Sequence, residues 1–220
     1  MSGSETPRRG RPGYDRQQIL EIAVDAFIEH GYDATSMGML GERLHLSKSA
    51  IYHHVPSKEE LLRIALDEAL DALEAGLDDA LSQGGSALQR VRTVIRASVH
   101  TLVEKLPYVT LLLRVHGNTE VERDALARRR AFDRRVIALV TEARDEGSLR
   151  EDLDPRVATR LVFGMINSIV EWYRPDGSQS VDTLAEDVLT VALDGLLSPA
   201  LLRVRGAERS GHAESVPIAP

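Results

Sequence analysis

The stretch "HLSKSAIYHHVPSKEEL", residues 45–61, contains two short helix starts of the same kind. Ser47 and Ser57 are residue types that cap helix N-termini, and each is followed directly by a lysine, Lys48 or Lys58. The first turn of a helix carries partial positive charge, so a lysine there lowers stability unless an anion lies nearby. A phosphate binds free backbone N–H groups and an ammonium together and makes both features favourable. The stretch therefore predicts a surface that binds a polyanion.

Around this stretch, apolar residues recur at helical spacing and strand signals are nearly absent. Turn residues such as Gly31, Pro56 and Gly147 divide the pattern into about nine helices, so we expect an all-α protein. Three helices fall within residues 14–58, after a disordered basic arm at 1–13. A connecting helix at 59–82 leads into a helical domain at 83–197, and a flexible tail follows at 198–220.

Several helix ends are marked by their residue types. The first helix is expected from about Asp15 to His30, and Ser57 with Glu60 has the spacing of a capping box for the connecting helix. At 1.5 Å per residue this helix is roughly 36 Å long, which suits a rigid lever. The last helix is expected from about Val181 to Leu197.

The composition favours a cytoplasmic protein. The chain has no cysteine, which excludes disulfides and thiolate metal sites. Its N-terminus has arginines but no apolar segment behind them, and no run approaches the roughly 20 apolar residues of a membrane span. We expect no membrane partner.

The charge is unevenly distributed. The net charge is -7, but residues 1–58 hold seven basic and seven acidic side chains, and the excess of acid lies beyond them. A neutral N-terminal segment with its basic groups in an arm and at helix starts is compatible with binding nucleic acid.

Two short helices joined by a tight turn, the second opening with Ser-Lys-Ser, are typical of a helix-turn-helix that reads the DNA major groove. Small hydroxyls and a methyl at the tip of the second helix can approach base edges, and residues one turn later can reach phosphate. Arginines set among Pro and Gly suit an arm in the minor groove. The predicted DNA contacts are Arg8, Arg9, Arg11, Thr35, Ser36, Ser47, Lys48, Ser49, Ala50, Tyr52, His53 and Lys58.

The stretch "TSMGMLGERLHLSKSAIYHHVPSKEEL", residues 35–61, resembles the N-terminal signature of the TetR family of bacterial transcriptional repressors. It departs from the family pattern at the turn, where Leu44 and His45 replace a small residue and a glycine, and Val55 stands where an aromatic is usual. Histidine tolerates positive φ, so we expect the turn to form with some strain. Gly38 and Gly41 weaken the first of the two helices by roughly 1 kcal/mol each relative to Ala.

The resemblance implies a mode of action. Such repressors bind operator DNA as dimers, hold a small-molecule inducer in the C-terminal ligand-binding and dimerisation domain, and release DNA when the inducer tilts the connecting helix. Here the pocket is expected between residues 86 and 173. When bound to DNA, the protein would be associated with the nucleoid.

A homodimer is also expected because one module covers only half of a palindromic operator. The helix at 157–172 is apolar in several directions, and two helices from each chain would form a four-helix bundle. A fully buried helix within a monomer is the alternative. The predicted interface residues are Leu161, Met165, Ser168, Leu189, Leu193 and Leu196.

The segment "LVFGMINSIVEWYRPDG", residues 161–177, resembles a stretch of repressors that respond to acyl-CoA thioesters. We therefore take an acyl-CoA as one candidate effector, with Asn167 as a polar contact. The run "RRRAFDRR", residues 128–135, would neutralise the CoA phosphates, unless it is a solvated face with i,i+4 pairs Asp124–Arg128 and Arg129–Asp133. The predicted pocket residues are His100, Leu112, Phe132, Phe163, Ile166, Asn167, Val170 and Trp172.

Two other functions stay open. A multidrug-type repressor that binds apolar cations needs aromatics and buried carboxylates, and the chain has only three Phe, five Tyr and one Trp. A helical-bundle enzyme needs a catalytic motif, and none stands out among the scattered histidines. We expect no enzymatic activity, no metal and no cofactor besides the effector.

Overall fold

The computed structural model describes residues 15–194, and all regular structure in this range is helical. This confirms the all-α prediction. The nine α-helices of the described range are α1 (Arg16–His30), α2 (Met37–Leu44), α3 (Lys48–His54), α4 (Lys58–Ser82), α5 (Ala87–Glu104), α6 (Leu106–Arg114), α7 (Glu120–Asp145), α8 (Pro155–Trp172) and α9 (Val181–Leu189).

Capped starts explain where most of these helices begin. Each cap is a Ser, Thr or Asp whose side chain accepts a hydrogen bond from a backbone N–H of the first turn. The caps are Asp15, Ser36, Ser47, Ser57, Ser86, Thr119, Asp154 and Ser180. The exception is α6, which has no side-chain cap and opens with Leu106-Pro107, where the missing proline N–H does no harm.

One apolar core holds the helices together. The long helix α4 packs against α1 at one end and against α5, α6 and α7 along its length. Its buried residues run from Leu61 to Ala80, so both ends are anchored. The helix α5 lies at the centre of the body and packs against α4, α7, α8 and α9. The N-terminal helices therefore share a core with the body through α4.

Two details differ from the sequence-based predictions. The Ser57 hydroxyl caps α4, but the Glu60 carboxylate binds Arg63 instead of completing the capping box. The last helix is α-helical only to Leu189 and continues as a π-helical turn over Thr190–Asp194. The predicted arm at 1–13, with Arg8, Arg9 and Arg11, and the predicted tail at 198–220 lie outside the described residues.

Candidate nucleic-acid interface and internal cavity

A tight turn fixes α3 against α2. His45 adopts a left-handed conformation with φ 51° and ψ 37°, and the Leu46 N–H donates to the Gly41 carbonyl at 2.9 Å. A Cβ on Gly41 would lie 2.8 Å from the Leu46 carbonyl oxygen, closer than such atoms approach. The glycine that weakens α2 is therefore required by the turn, and the strained His45 of the sequence analysis is present.

The helix α3 presents a polar face to solvent. Ile51 is fully buried and holds the helix on the core, whereas Ser47, Ser49, Tyr52 and His53 are exposed. The Ser47 hydroxyl accepts a hydrogen bond from the Ala50 N–H at 3.2 Å, and Ala50 is half-buried. The predicted reading residues of α3 therefore lie together at its start and on its outer side.

Lys48 extends back over the start of α2. Its Cε lies 3.1 Å and its Nζ 3.4 Å from the point where a Cβ of Gly38 would stand, and the Ser36 Oγ lies 3.5 Å from the same point. Ser36 caps α2 by accepting from the Met39 N–H at 3.2 Å. One ammonium and two capped helix starts thus form a single exposed patch, made of Ser36, Ser47, Lys48 and Ser49.

Lys58 has a different position from the one predicted. Its ammonium donates to the carbonyl oxygens of Tyr32 at 2.8 Å and Thr35 at 2.9 Å, and lies 4.1 Å from the centroid of the Tyr32 ring. Both carbonyls belong to the connection between α1 and α2. Lys58 is therefore not a free cation at a helix start but a link between α4 and this connection.

Thr35 also faces inward. Its side chain is buried, and its hydroxyl donates to the Gly31 carbonyl at 2.8 Å, with the Ala26 carbonyl at 3.3 Å. The cap of α2 is Ser36 alone. Thr35 was predicted as a DNA contact, but its side chain is buried within the module and is not exposed at the surface.

A cavity of about 590 Å³, counted out to its open mouth, lies in the body between α4, α5, α6, α7 and α8. Nine of its lining residues are apolar, which makes the wall suited to a hydrocarbon group. The lining residues are Leu70, Leu73, Glu74, Ser98, Leu102, Val109, Leu112, Leu113, Arg129, Phe132, Asp133, Phe163, Ile166 and Asn167.

Five of the eight predicted pocket residues line this cavity, namely Leu112, Phe132, Phe163, Ile166 and Asn167. The Phe132 and Phe163 rings meet edge to face at 5.6 Å. The other three do not line it. Val170 packs on the core, Trp172 is exposed at the end of α8, and the His100 Nε2 lies 3.1 Å from an Asp182 carboxylate oxygen on α9.

Two of the five arginines in the basic run at 128–135, Arg128 and Arg135, join α7 to α4. The Arg128 guanidinium contacts carboxylate oxygens of Asp67 at 3.0 Å, Asp71 at 2.5 Å and Glu74 at 2.7 Å, and Arg135 contacts Asp78 at 2.5 Å. The hydrogen bonds that the Arg128 guanidinium donates to Glu74 and Asp71 raise the pKa of Arg128 above its ordinary value. Arg128 does not form the pair with Asp124, and it is not a free cation for CoA phosphates, because its three carboxylate partners lie on α4.

The outer side of α8 carries an exposed apolar stripe. Val157, Leu161 and Trp172 are 48%, 69% and 51% exposed, and the exposed Gly164 and Ser168 lie between them at helical spacing. Exposed apolar side chains of this size in a row are uncommon on a monomer, which makes the stripe a candidate interaction surface.

The predicted interface residues of α9 behave differently. Leu189 is fully buried in the core of its own chain, so it is not available to a partner. Leu193 and Met165 are partly buried against the same core, and Leu196 lies outside the described residues. The helix α9 packs against α5 of its own chain, so its buried side is already covered.

A second set of contacts joins the N-terminal helices to the cavity wall. The helix α6, which contributes Val109 and Leu112 to the cavity, packs on α1. Gln17 donates to the Tyr108 hydroxyl at 3.0 Å, and Arg114 donates to the Ile28 carbonyl at 2.8 Å. The helix α6 therefore contacts both the cavity and α1.

Within residues 15–194, none of the helices has the length and apolar character to cross a membrane. The same range contains no group of His, Asp and Glu side chains arranged to hold a metal ion.

Two family models match the chain. The model described as "Bacterial regulatory proteins, tetR family" matches residues 19–64, which span α1, α2 and α3 and the first turns of α4. The model described as "Tetracyclin repressor-like, C-terminal domain" matches residues 84–196, which span the cavity-bearing body.

Known proteins of similar sequence and fold agree with these matches. SCO3833, a TetR-family regulator from Streptomyces coelicolor A3, is 49% identical, with a TM-score of 0.78 over 90% of this chain and 96% of that one. The transcriptional repressor KstR2 of Rhodococcus jostii is 29% identical over 84% of this chain and 92% of its own. AibR, solved with isovaleryl coenzyme A and operator DNA, is 23% identical with a TM-score of 0.68, covering 81% of this chain and 97% of that one, and shares the fold.

Proposed function

The chain belongs to the TetR family of bacterial regulatory proteins and is a DNA-binding transcriptional repressor rather than an enzyme, and on this premise we propose how it works. We propose that two copies bind a palindromic operator and that a small apolar effector, bound in the cavity of the body, releases them. An acyl-CoA thioester is the first effector class to test.

The observation that carries the DNA-binding part is the exposed patch of Ser36, Ser47, Lys48 and Ser49. Two helix starts and one ammonium converge there, and neither helix start has a carboxylate in its first turn. Backbone N–H groups at helix starts and a lysine together bind phosphate, while small side chains at the tip of α3 approach base edges. Tyr52 and His53 follow on the same exposed helix, within reach of the backbone.

The dimer is proposed to form through the stripe on α8. Its exposed apolar residues would be covered by the same stripe of a second copy, as the self-complementary surfaces of two-fold dimers are. Gly164 has no neighbour within 4 Å of its missing Cβ, which leaves room for a helix of the partner to approach closely. Two modules held this way would need a separation of about 34 to 36 Å to enter successive major grooves.

The effector is proposed to enter the cavity because its wall is apolar and spans five helices. The fold also accommodates an acyl-CoA in AibR, although that protein is similar to this chain in fold alone. The aliphatic wall residues Leu70, Leu73 and Leu102 would contact a hydrocarbon chain, and the amide of Asn167 would contact a polar group.

Coupling to DNA is proposed to run through α4 and α6, the two cavity-lining helices that also pack on α1. An effector that separates α7 from α4 would strain the contacts of Arg128 with its three carboxylates. An effector that displaces α6 would act on α1 through Tyr108 and Arg114. For release, the effector must bind the non-DNA state more tightly than the DNA-bound state by a few kcal/mol.

The proposal is tested by selecting a binding site from random duplexes and measuring binding to it by fluorescence anisotropy. We expect a palindromic site and two chains per duplex. Leu161→Glu should place a charge in the dimer contact and weaken operator binding by roughly 100-fold, because the two modules no longer bind as one unit.

Ala75→Glu is the matched control, since Ala75 is exposed on α4, away from the stripe. It should leave both the dimer, measured by light scattering, and the operator affinity unchanged. A single chain bound to an asymmetric site would contradict the proposal, and so would a dimer that persists in Leu161→Glu.

A further inference from the structure

The polar groups of the cavity wall differ in whether the protein already satisfies them. The Ser98 hydroxyl donates to the Val94 carbonyl at 2.8 Å within its own helix. Both Glu74 carboxylate oxygens accept hydrogen bonds from Arg128, at 3.0 and 2.7 Å. These two groups therefore offer little to a ligand.

Arg129 and Asn167 are the wall groups with donors to spare. The Arg129 guanidinium makes one long hydrogen bond, at 3.4 Å, to the Leu112 carbonyl, and no carboxylate of the described residues lies within ion-pair distance of it. The sequence predicted an i,i+4 pair between Arg129 and Asp133, but this pair is not formed. The Asn167 amide has no hydrogen-bond partner within residues 15–194.

Asp133 is the one carboxylate of the wall without a bound cation. Asp133 is exposed as a whole, but the surrounding protein still desolvates its carboxyl and raises its pKa above the ordinary value. The charges of Arg129 and Arg160 offset part of this rise. Two guanidinium groups thus act on a single carboxylate. The charge that remains for a ligand at this part of the cavity is positive.

We propose that the cavity binds an amphipathic anion, an apolar chain with a carboxylate or a phosphate-bearing thioester at one end, and that Arg129 binds its head group. The proposal rests on the effector site proposed above and adds the sign of the ligand's charge and the residue that selects it. The nine apolar wall residues contact the chain, and the guanidinium supplies paired N–H donors of the geometry that carboxylate and phosphate oxygens accept. A cationic ligand would meet Arg129, and the one wall carboxylate without a bound cation, Asp133, already lies near the charges of Arg129 and Arg160.

The test uses four probes with the same ten-carbon chain: decanoate, decanoyl-CoA, decanol and decylamine. Binding to the full-length protein is measured by isothermal titration calorimetry, and operator release by fluorescence anisotropy. Arg129→Gln removes the charge and keeps the length. Arg130→Gln is the matched control, because Arg130 is exposed on the same helix and is not part of the cavity wall.

We expect an anionic probe to bind more tightly than decanol, and decylamine to bind most weakly. Decanoate and decanoyl-CoA distinguish a free acid from a thioester as the source of the anion. Arg129→Gln should weaken binding of the anion by about tenfold or more, since hydrogen bonds to charged groups are among the stronger ones, and should leave decanol unchanged. Unchanged decanol binding also shows that the variant is folded, and Arg130→Gln should affect neither probe.

Two results would overturn the inference and leave the proposed effector site intact. One is equal binding of decanoate and decanol with no effect of Arg129→Gln, and the other is tightest binding of decylamine. Failure of all four probes to bind, with normal operator binding, would overturn the effector site together with the inference.

Discussion

The two serine-lysine helix starts, Ser47-Lys48 at α3 and Ser57-Lys58 at α4, are alike in sequence and different in structure. Both serines cap their helices. Lys48 lies over Gly38 on the surface, whereas Lys58 donates to two backbone carbonyls of the α1–α2 connection. The local sequence therefore sets the cap, and the element packed against the helix start decides what the lysine binds.

The difference assigns the two lysines separate tasks. Lys48 makes no hydrogen bond within the described residues, so its ammonium is available to a phosphate at the start of α3. The ammonium of Lys58 lies at an unfavourable place, a helix start, but contacts with two carbonyl oxygens and the face of the Tyr32 ring offset this cost. Lys58 thus ties the start of α4 to the connection that precedes the cap of α2.

The largest effect is expected for Gly41→Ala, because Gly41 contacts the turn that positions the start of α3. Gly41→Ala sets a Cβ against the Leu46 carbonyl, which belongs to the turn and has no freedom to move alone. The resulting shift of α3 should cost about 2 kcal/mol of unfolding free energy even after the gain in helix propensity, and should abolish specific operator binding. Chemical denaturation and anisotropy measure the two effects.

Gly84→Ala is the control for this change. Gly84 lies in the α4–α5 connection with nothing within 4 Å of its missing Cβ. It should leave stability within about 0.5 kcal/mol of the parent and DNA binding unchanged. A Gly41→Ala protein that is as stable and as active as Gly84→Ala would show that the contact between α2 and the turn is looser than the structure indicates.

The next effect separates the two lysines by the same substitution. Lys58→Met keeps an apolar stem over Tyr32 but leaves the Tyr32 and Thr35 carbonyls without their charged donor. We expect a loss of about 1.5 kcal/mol in unfolding free energy, since a partly buried acceptor loses its partner. Operator affinity should fall, but the slope of log affinity against log salt concentration should stay the same because no phosphate contact is removed. A slope reduced by about one ion would instead show that Lys58 contacts a phosphate.

The sequence carried most of the fold because the caps are local. Ser47 and Ser57 fix helix starts through bonds from N–H groups three residues away, and both caps were predicted from the sequence. The end of α9 was not: the sequence predicted a helix to about Leu197, whereas it is α-helical only to Leu189 and π-helical over Thr190–Asp194.

The site was predictable only where periodicity decides it. The sequence located five cavity residues on α6, α7 and α8, but missed the α4 contribution of Leu70, Leu73 and Glu74. The helical spacing of apolar residues on α4 predicts a buried face, but it does not show whether that face meets a core or a cavity. The contacts of Lys58 and Arg128 likewise could not be predicted, because their partners lie 23 to 61 positions away in the chain.

Lys48→Met should have little effect on stability and a clear effect on DNA binding. Lys48 is exposed and has no hydrogen bond to lose, so we expect a change in unfolding free energy within about 0.5 kcal/mol. Losing one phosphate contact per chain should lower the salt slope by about 0.9 for each module bound. Anisotropy titrations at four salt concentrations, run beside Lys58→Met, measure the difference. The same slope in both variants would remove the distinction between the two helix starts.

The smallest effect is expected from Gly38→Ala, which tests whether the position of Lys48, and not only its charge, contributes. The added methyl meets the flexible end of Lys48, with Cε at 3.1 Å, and not the backbone, so the side chain moves aside at low cost. The gain of roughly 1 kcal/mol in helix propensity should offset this cost and leave stability near that of the parent. Operator affinity should fall by less than in Lys48→Met, with the salt slope unchanged, because the ammonium is still present but displaced from the start of α2. If affinity falls as far as in Lys48→Met, the patch depends on Lys48 lying across Gly38; if it does not fall at all, Lys48 reaches phosphate from a different position.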